Sequence, residues 1–148
     1  MRSILAAAAL ALVLAPAALA DALYHSSHIP LSPVGSSPLR SGFVENIHPN
    51  GPNVFAHEQY VLNGAMPNTE YTVEIHISTT PGCIDPFLNF PTATFTTNAA
   101  GNGSSTKVFT PADVAGLANS TIYVFWTVAT SDGTVVYMTS CQSAMLDS

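Results

Sequence analysis

The chain has 148 residues and a formal net charge of −6, and charged residues make up only 8% of it. An acidic surface repels nucleic acid and anionic lipid, so neither is an expected partner. A chain of this length can bury enough surface to fold as one domain without a metal or several disulfides, and no cofactor is expected.

The beginning of the chain has the order of a secretory signal peptide. Arg2 precedes an apolar run from Ile4 to Leu14, and the small-residue signature Ala18-Leu19-Ala20 comes directly before Asp21. We therefore expect residues 1–20 to be removed, and the mature protein to be secreted, extracellular or periplasmic, without a membrane span. The alternative is an uncleaved anchor, although the apolar run is short for a span.

Residues 21–38 are typical of an extended N-terminal arm. Pro30, Pro33 and Pro38 fall among serines, and the segment shows little periodicity. The remaining residues, 39–148, are expected to form the folded domain.

That domain is predicted to be all-β. Short runs rich in β-branched and aromatic residues recur between turn signals, without a long helical period. This pattern favours an antiparallel sandwich or barrel of about seven strands. The predicted strands are Ser41–Ile47, Asn53–Leu62, Glu70–Ser78, Thr92–Thr97, Ser105–Thr110, Thr121–Thr130 and Thr134–Ala144.

The connection from Asn63 to Glu70 predicts how the chain passes between two layers. Eight residues are long for a tight hairpin but suit an arch from one sheet to the other. Tyr71 opens the incoming strand, where its ring could lie under the arch and its hydroxyl could bond the arch backbone. This is the tyrosine-corner arrangement. An ordinary core tyrosine is the alternative and predicts the same fold.

The stretch "NGAMPNTEYTVEI" resembles the corner of fibronectin type III and other immunoglobulin-like modules. Together with "TATFTTNAAGNGSST", it is also similar, more loosely, to the neocarzinostatin-type apoproteins and to small secreted bacterial proteins of unassigned function. The resemblance implies an immunoglobulin-like antiparallel β-sandwich. For the apoprotein family it also implies a secreted carrier of a hydrophobic small molecule.

The two cysteines, Cys83 and Cys141, are expected to form a structural disulfide. Export would place them in an oxidising compartment. Their spacing is unlike the close CxxC of a redox pair, and no basic cluster adjoins them.

The histidines suggest the one metal hypothesis that the sequence offers, a Cu or Zn site. His57 and His76 could contribute to it only if their strands were neighbours, and the arch sends those strands to different sheets. His76 is then expected on the solvent face beside Glu74. The five histidines are His25, His28, His48, His57 and His76.

The strand "TIYVFWTVAT" is apolar on both faces, and only one face can point into a two-layer core. A two-residue type I′ hairpin at Asp132-Gly133 would pair this strand with the next one. The second face would then carry an apolar patch that the N-terminal arm, a second subunit or a ligand must cover. The pairs expected from that turn are Phe125 with Ser140, Thr127 with Met138, and Ala129 with Val136. The patch is Tyr123, Phe125, Val136 and Met138, and the arm residues that could cover it are Leu23, Tyr24, Ile29 and Leu31.

No catalytic motif stands out, and we expect a non-enzymatic protein. The chain lacks a GxSxG elbow, and the glycine-rich "AAGNGS" lacks the lysine of a phosphate loop. The expected function is a secreted binding or adhesion module for a protein, glycan or small molecule, with a homodimer as one arrangement. The alternative is a small-molecule or metal carrier. Asn102 and Asn119 head N-glycosylation sequons, which matter only in a host with that machinery.

Overall fold

The computed structural model describes residues 25–48, 56–110, 112–113, 116–117 and 120–146. Within these ranges the chain is all-β, with nine strands and no helix. The strands are β1 (His25–Pro33), β2 (Ser41–His48), β3 (Ala56–Asn63), β4 (Glu70–Ser78), β5 (Leu88–Thr96), β6 (Gly103–Phe109), β7 (Ser120–Thr130), β8 (Val135–Thr139) and β9 (Gln142–Leu146).

All strand pairings in the described residues are antiparallel, and they form one nearly barrel-shaped sheet. The strand order is β5-β4-β7-β8-β1-β2-β3-β6, and β9 pairs with β7. The strand β1 joins the two halves, because His25–Pro30 pair with β2 while Leu31–Pro33 pair with β8. We call β1, β2, β3 and β6 the first half, and β4, β5, β7, β8 and β9 the second half.

The core lies between the two halves and follows the alternation of the strands. In β4, for example, Tyr71, Val73 and Ile75 are buried, whereas the residues between them are partly exposed. Trp126 of β7 is fully buried in this interior. The buried apolar residues are Ile29, Leu31, Val44, Ala56, Tyr60, Leu62, Ala65, Tyr71, Val73, Ile75, Ile77, Phe109, Ile122, Val124, Trp126, Val128, Val136 and Tyr137.

The described residues form nine strands where the sequence predicted about seven. One addition is β1, which lies inside the segment predicted as an extended arm. The other arises because the predicted strand Thr134–Ala144 is interrupted at Ser140-Cys141, giving β8 and β9. Residues 1–24 and 53–55, and with them the signal peptide and the start of one predicted strand, lie outside the described residues.

The predicted two-residue turn at Asp132-Gly133 is wrong. Gly133 N donates to Thr130 O at 2.8 Å, and Thr130 N donates to Thr134 O at 3.0 Å, so three residues form the loop. Of these three, only Gly133 has a positive φ, at 84°. The Asp132 carboxylate accepts from Thr130 Oγ1 at 2.6 Å and from Thr134 N at 3.0 Å, and the second of these bonds forms an Asx turn within the three-residue loop.

The longer loop changes the register of the β7–β8 hairpin. Thr127 pairs with Met138 as predicted, but a bulge follows and Ala129 pairs with Val135 instead of Val136. A bulge leaves one residue unpaired and re-aims its neighbours. The predicted pairing of Phe125 with Ser140 is also absent from the β7–β8 register.

The connection from β3 to β4 crosses between the halves, as expected for an arch. Its backbone is held against the β5–β6 loop, since Ala65 N donates to Gly101 O at 3.0 Å. Gly101 has a φ of 74°, and a Cβ there would lie 2.1 Å from Ala65 O. Only glycine fits this close approach of two loops.

The predicted disulfide is confirmed. Cys83 and Cys141 are bonded, with their Cα atoms 5.7 Å apart, and the described residues contain no free cysteine. The bond ties the loop after β4 to the junction between β8 and β9. It is consistent with an oxidising compartment.

Among the described residues no helix is long and apolar enough to cross a membrane.

Candidate functional site

A cavity of about 230 Å³ opens between the first and second halves of the sheet. Its walls come from β1 and β2 on one side and from β7 and β9 on the other. The lining residues are Ser27, Ile29, Asn46, His48, Val124, Trp126, Gln142, Ser143, Ala144 and Met145. An apolar cavity of roughly 150 Å³ is large enough for benzene. The space here therefore suits a small organic molecule.

Strand register places a row of polar side chains on the inner side of the first half. Ser27 of β1 pairs with Asn46 of β2, which pairs with Glu58 of β3, which pairs with Lys107 of β6. Residues directly opposite each other in paired strands project to the same face. Asn46 and Glu58 therefore lie side by side within an otherwise apolar interior.

Glu58 is 1% exposed and has three side-chain hydrogen-bond donors around it. The Tyr60 hydroxyl donates to Oε2. Trp126 Nε1 also donates to Oε2, at 2.8 Å, and this bond crosses the core between the two halves. Asn46 Nδ2 donates to Oε1 at 3.3 Å. A buried carboxylate needs such partners to remain in an apolar interior.

Burial raises the pKa of Glu58 from 4.5 to about 7, because desolvation disfavours the charged carboxylate more than its donors favour it. The hydrogen bonds from Tyr60 and Trp126 and the charge of Lys107 act in the opposite direction. Burial, followed by the charge of Glu58, raises the pKa of Tyr60. Both forms of Glu58 are therefore accessible near neutral pH, while Tyr60 stays protonated and donates.

Asn46 connects this cluster with the cavity. Its side chain is 5% exposed and lines the cavity, and its Nδ2 is held by Glu58. Its Oδ1 is the one buried side-chain polar atom of the described residues without a hydrogen-bond partner. A buried acceptor left unpaired destabilises a protein by about 1–3 kcal/mol. Oδ1 itself is closed off, so a donor in the cavity reaches it only when the Asn46 side chain rotates.

The apolar patch predicted on the outer face is only partly formed. Tyr123 and Phe125 are half-buried and Met138 is 40% exposed. Val136 instead lies in the core, 6% exposed, since the bulge re-aims it.

Two of the four arm residues that could cover that patch have another position. Ile29 and Leu31 of β1 are buried in the core between the halves. Leu23 and Tyr24 lie outside the described residues.

Tyr71 is fully buried, but its hydroxyl lies 3.5 Å from the Tyr137 hydroxyl rather than against the arch backbone. Tyr137 makes the contact with backbone, since its hydroxyl donates to Pro38 O at 2.7 Å. Burial raises the pKa of Tyr137 above its ordinary value, so this hydroxyl stays a donor. The tyrosine hydroxyl that bonds the backbone of a connecting segment is therefore that of Tyr137 on β8, and the segment is the one between β1 and β2.

The two histidines named for a metal site are not brought together. His57 lies exposed on β3, whose neighbours are β2 and β6, whereas β4, which carries His76, lies between β5 and β7. The His76 ring stacks on Phe125 at 4.4 Å, and its Nε2 lies 2.9 Å from Thr127 Oγ1.

Metal-ligating groups do not cluster elsewhere either. The described part of the chain contains no group of three or more His, Cys, Asp or Glu side chains placed to hold a metal ion. Burial lowers the pKa of His76, which keeps the imidazole neutral near pH 7.

Two other polar residues named from the sequence, Glu74 and Asn102, form hydrogen bonds within the protein. Glu74 of β4, expected beside His76, has its Oε1 3.6 Å from His76 Nε2 and accepts from Asn89 at 2.8 Å. Asn102, which heads a sequon, accepts from Gly64 N at 3.1 Å through its Oδ1. Asn119 lies outside the described residues.

Sequence reasoning missed Asn46 and the part played by Glu58. A signal was present, because each residue takes an inward position in an alternating strand where apolar residues are expected: Val44 precedes Asn46 by two, and Tyr60 follows Glu58 by two. A polar residue at a strand position that the alternation assigns to the core is uncommon, and it therefore points to a particular role for that residue.

Comparisons of the chain with protein-family models, curated proteins and solved structures gave no significant match. The candidate site therefore has to be interpreted from its own geometry.

Proposed function

We propose that this chain is a secreted, non-enzymatic binding module of the immunoglobulin-like β-sandwich type, and that its ligand is a small molecule held in the Asn46 cavity. Two packed halves with an arch between them support the sandwich architecture. The disulfide between Cys83 and Cys141 supports secretion.

The unpaired Oδ1 of Asn46 is the observation that carries the proposal. Most buried polar atoms in proteins have a hydrogen-bond partner, and an exception calls for an explanation. Asn46 itself lies in the wall of a cavity that is larger than a single water molecule requires, and a rotation of its side chain would bring Oδ1, which is closed off as it stands, to that space. The arrangement fits a ligand with an apolar body against Trp126 and Val124 and a donor group at Asn46.

The same geometry supports binding more than catalysis. A general base has to be within reach of the proton that it removes. Glu58 is the one buried carboxylate among the described residues, but Tyr60, Trp126 and Asn46 donate to its oxygens. Its role is to orient Asn46 and Trp126, which themselves line the cavity.

Indole is a suitable probe, because it has one N–H donor on a compact apolar body. Titration of the full chain with indole, followed by amide NMR, should shift resonances of Val124, Trp126 and Ala144. Asn46→Leu removes the acceptor and should weaken binding about tenfold or more. Ala144→Phe retains Asn46 but fills the cavity from β9, and this variant should not bind indole.

Asn89→Leu is the matched control, since Asn89 lies on β5 and away from the cavity. It should leave indole affinity unchanged. The proposed site would be refuted by resonance shifts that map outside the cavity. It would also be refuted if the Asn46→Leu and Ala144→Phe variants bound indole as tightly as the unmodified protein.

A further inference from the structure

The two halves of the sheet approach each other along two sides, and these sides differ. On the first side β5 lies against β6, where the ring centroids of Phe90 and Phe109 are 6.2 Å apart. A Cβ added at Gly103 of β6 would lie 2.9 Å from the ring of Phe95 of β5. On the second side, β1 pairs with β8 through Leu31–Pro33 only. Beyond this short pairing the cavity opens between β9 and the first part of β1.

The strand β9 has a free edge on this second side. Among the described strands it pairs with β7 alone. Ser143 is exposed and Met145 is 55% exposed, so the edge is accessible. A free edge presents a row of unpaired backbone N–H and C=O groups, which is a template for another extended chain.

The edge of β9 lacks the features that usually protect such a row, namely proline, charged side chains and bulges. The strand β5 contains Pro91, and its ladder with β4 has a bulge. The strand β6 carries Lys107 at an inward position over the Phe109 ring. The part of β1 that pairs only with β2 ends at Pro30. By contrast, β9 contains no proline and no charged residue, and its ladder with β7 has no register shift.

We propose that β9 binds an extended, basic peptide segment of a partner protein by backbone pairing. Side chains alternate along an added strand, so every second one would face the mouth of the cavity. The apolar lining there includes Ile29, Val124 and Ala144, which favours apolar residues at those positions. The chain has nine Asp and Glu against three Lys and Arg, which favours basic residues at the others. This inference goes beyond the proposed function, because the peptide is held by its backbone and needs no small-molecule ligand.

A second copy of the chain is a less suitable occupant of this edge. Both copies would carry the same acidic charge and repel each other. The β9 strand of a second copy would bring only Gln142 and Ala144 to the inner side, and neither is a large apolar residue. With five residues, β9 is about 17 Å long, too short by itself for the roughly 1,000 Å² of a stable interface.

The test titrates the full chain with the peptide acetyl-Lys-Leu-Lys-Leu-Lys-amide and follows amide NMR. The peptide should shift the amide resonances of Gln142–Leu146 and slow the hydrogen exchange of those β9 amides that do not pair with β7. The same peptide with glutamate in place of lysine should bind about tenfold more weakly or not at all. N-methylation of the last four backbone amides preserves the side chains and removes the donors, and it should abolish binding. Equal affinity of the N-methylated peptide would refute backbone pairing.

Ser143→Lys places a protecting charge on the edge of β9 and should weaken binding of the lysine peptide about tenfold. Asn89→Lys is the matched control, because it adds the same charge at an exposed position of β5 and should leave the affinity nearly unchanged. Equal weakening in both variants would show that only net charge matters, and the inference would fail.

The protein alone distinguishes the other occupants of this edge. If its outer β9 amides are already protected from exchange and sedimentation shows a dimer, the occupant is a second copy and the peptide proposal is wrong. The same protection in a monomer would mean that the chain covers its own edge, which also overturns the proposal. If indole binds and the peptide does not, this inference fails while the proposed function stands. If the peptide binds and indole does not, the proposed function fails and the edge site stands.

Discussion

Glu58→Gln should remove a large pH dependence from the folding stability of this protein. The pKa of Glu58 rises from 4.5 to about 7 on folding, mainly because the carboxyl group is buried. The folded state therefore binds this proton more tightly than the unfolded state. Its stabilising contribution is fully present below about pH 4.5 and is lost as the pH rises through about 7.

The size of the effect follows from the two pKa values. They are separated by roughly 2.5 pH units, and each pH unit corresponds to about 1.4 kcal/mol, so the loss is on the order of 3 kcal/mol. His76 acts in the opposite direction, because its pKa is lowered by burial and its contribution is lost as the pH falls below about 6.5. The difference between the unmodified protein and the variant isolates Glu58, since both retain His76.

Urea unfolding at a series of pH values between about 4 and about 8.5 measures this difference, with the disulfide intact. Trp126 is the single tryptophan and reports on the core, and far-UV circular dichroism checks that unfolding is two-state. Glu58→Gln should match the unmodified protein near pH 4.5 and exceed its stability by about 3 kcal/mol above pH 7. Glu70→Gln, at an exposed position at the start of β4, should run parallel to the unmodified protein. Parallel curves for Glu58→Gln would refute the reasoning, because the carboxyl group would then not change its pKa on folding.

Four further variants test the packing. Replacing Cys83 and Cys141 by serine should lower the free energy of unfolding by about 4 kcal/mol, the loop-entropy value for a separation of 58 residues, and equal urea midpoints would contradict this. Gly101→Ala should lower the free energy of unfolding by more than about 2 kcal/mol, because the new Cβ would clash with the backbone of Ala65. Gly133→Ala places its Cβ in open space and should lower it by only about 1 kcal/mol, so equal losses in the two variants would count against the arch contact. Tyr137→Phe removes the hydrogen bond to Pro38 O and should lower the thermal midpoint by a few degrees, through a loss of about 1 kcal/mol; an unchanged midpoint would show that the bond contributes nothing.

The sequence predicted correctly a strand that is marked by an uninterrupted alternation of apolar and polar residues. The strand β4 begins at Glu70 and ends at Ser78, the predicted bounds, because its alternation is unbroken. Where this local pattern is missing, strand formation depends on pairing with segments that are distant in the sequence. The strand β1 contains Pro30 and Pro33, which lack the N–H that a ladder uses, and it forms because β2 and β8 both lie beside it.

The β7–β8 hairpin shows how a small local difference propagates. Asp-Gly is a strong signal for a turn, but it does not by itself distinguish a two-residue loop from a three-residue loop. Here the Asp132 carboxylate bonds both flanking threonines, so the longer loop forms. The resulting bulge moves Val136 from the outer face into the core, and one of the four residues predicted for the patch is lost.

The candidate site depends on register, which a single sequence does not specify. Asn46 and Glu58 could each be noticed as polar residues at core positions, but only the β2–β3 pairing places them side by side. Trp126 is further along the chain and belongs to the other half of the sheet, yet its indole N–H reaches the same carboxylate. The polar cluster is thus assembled from three strands by tertiary structure.

Stability alone gives a weak reason for such a cluster to exist. Replacing a buried polar or charged group together with its partners by apolar side chains is often neutral or stabilising. The cluster moreover leaves Asn46 Oδ1 unpaired, so one of its members is destabilising as it stands. A cluster retained only for folding would be expected to satisfy all of its own atoms. The unpaired atom belongs instead to the member of the cluster that lines the cavity together with Trp126, and this position is the reason for proposing a ligand.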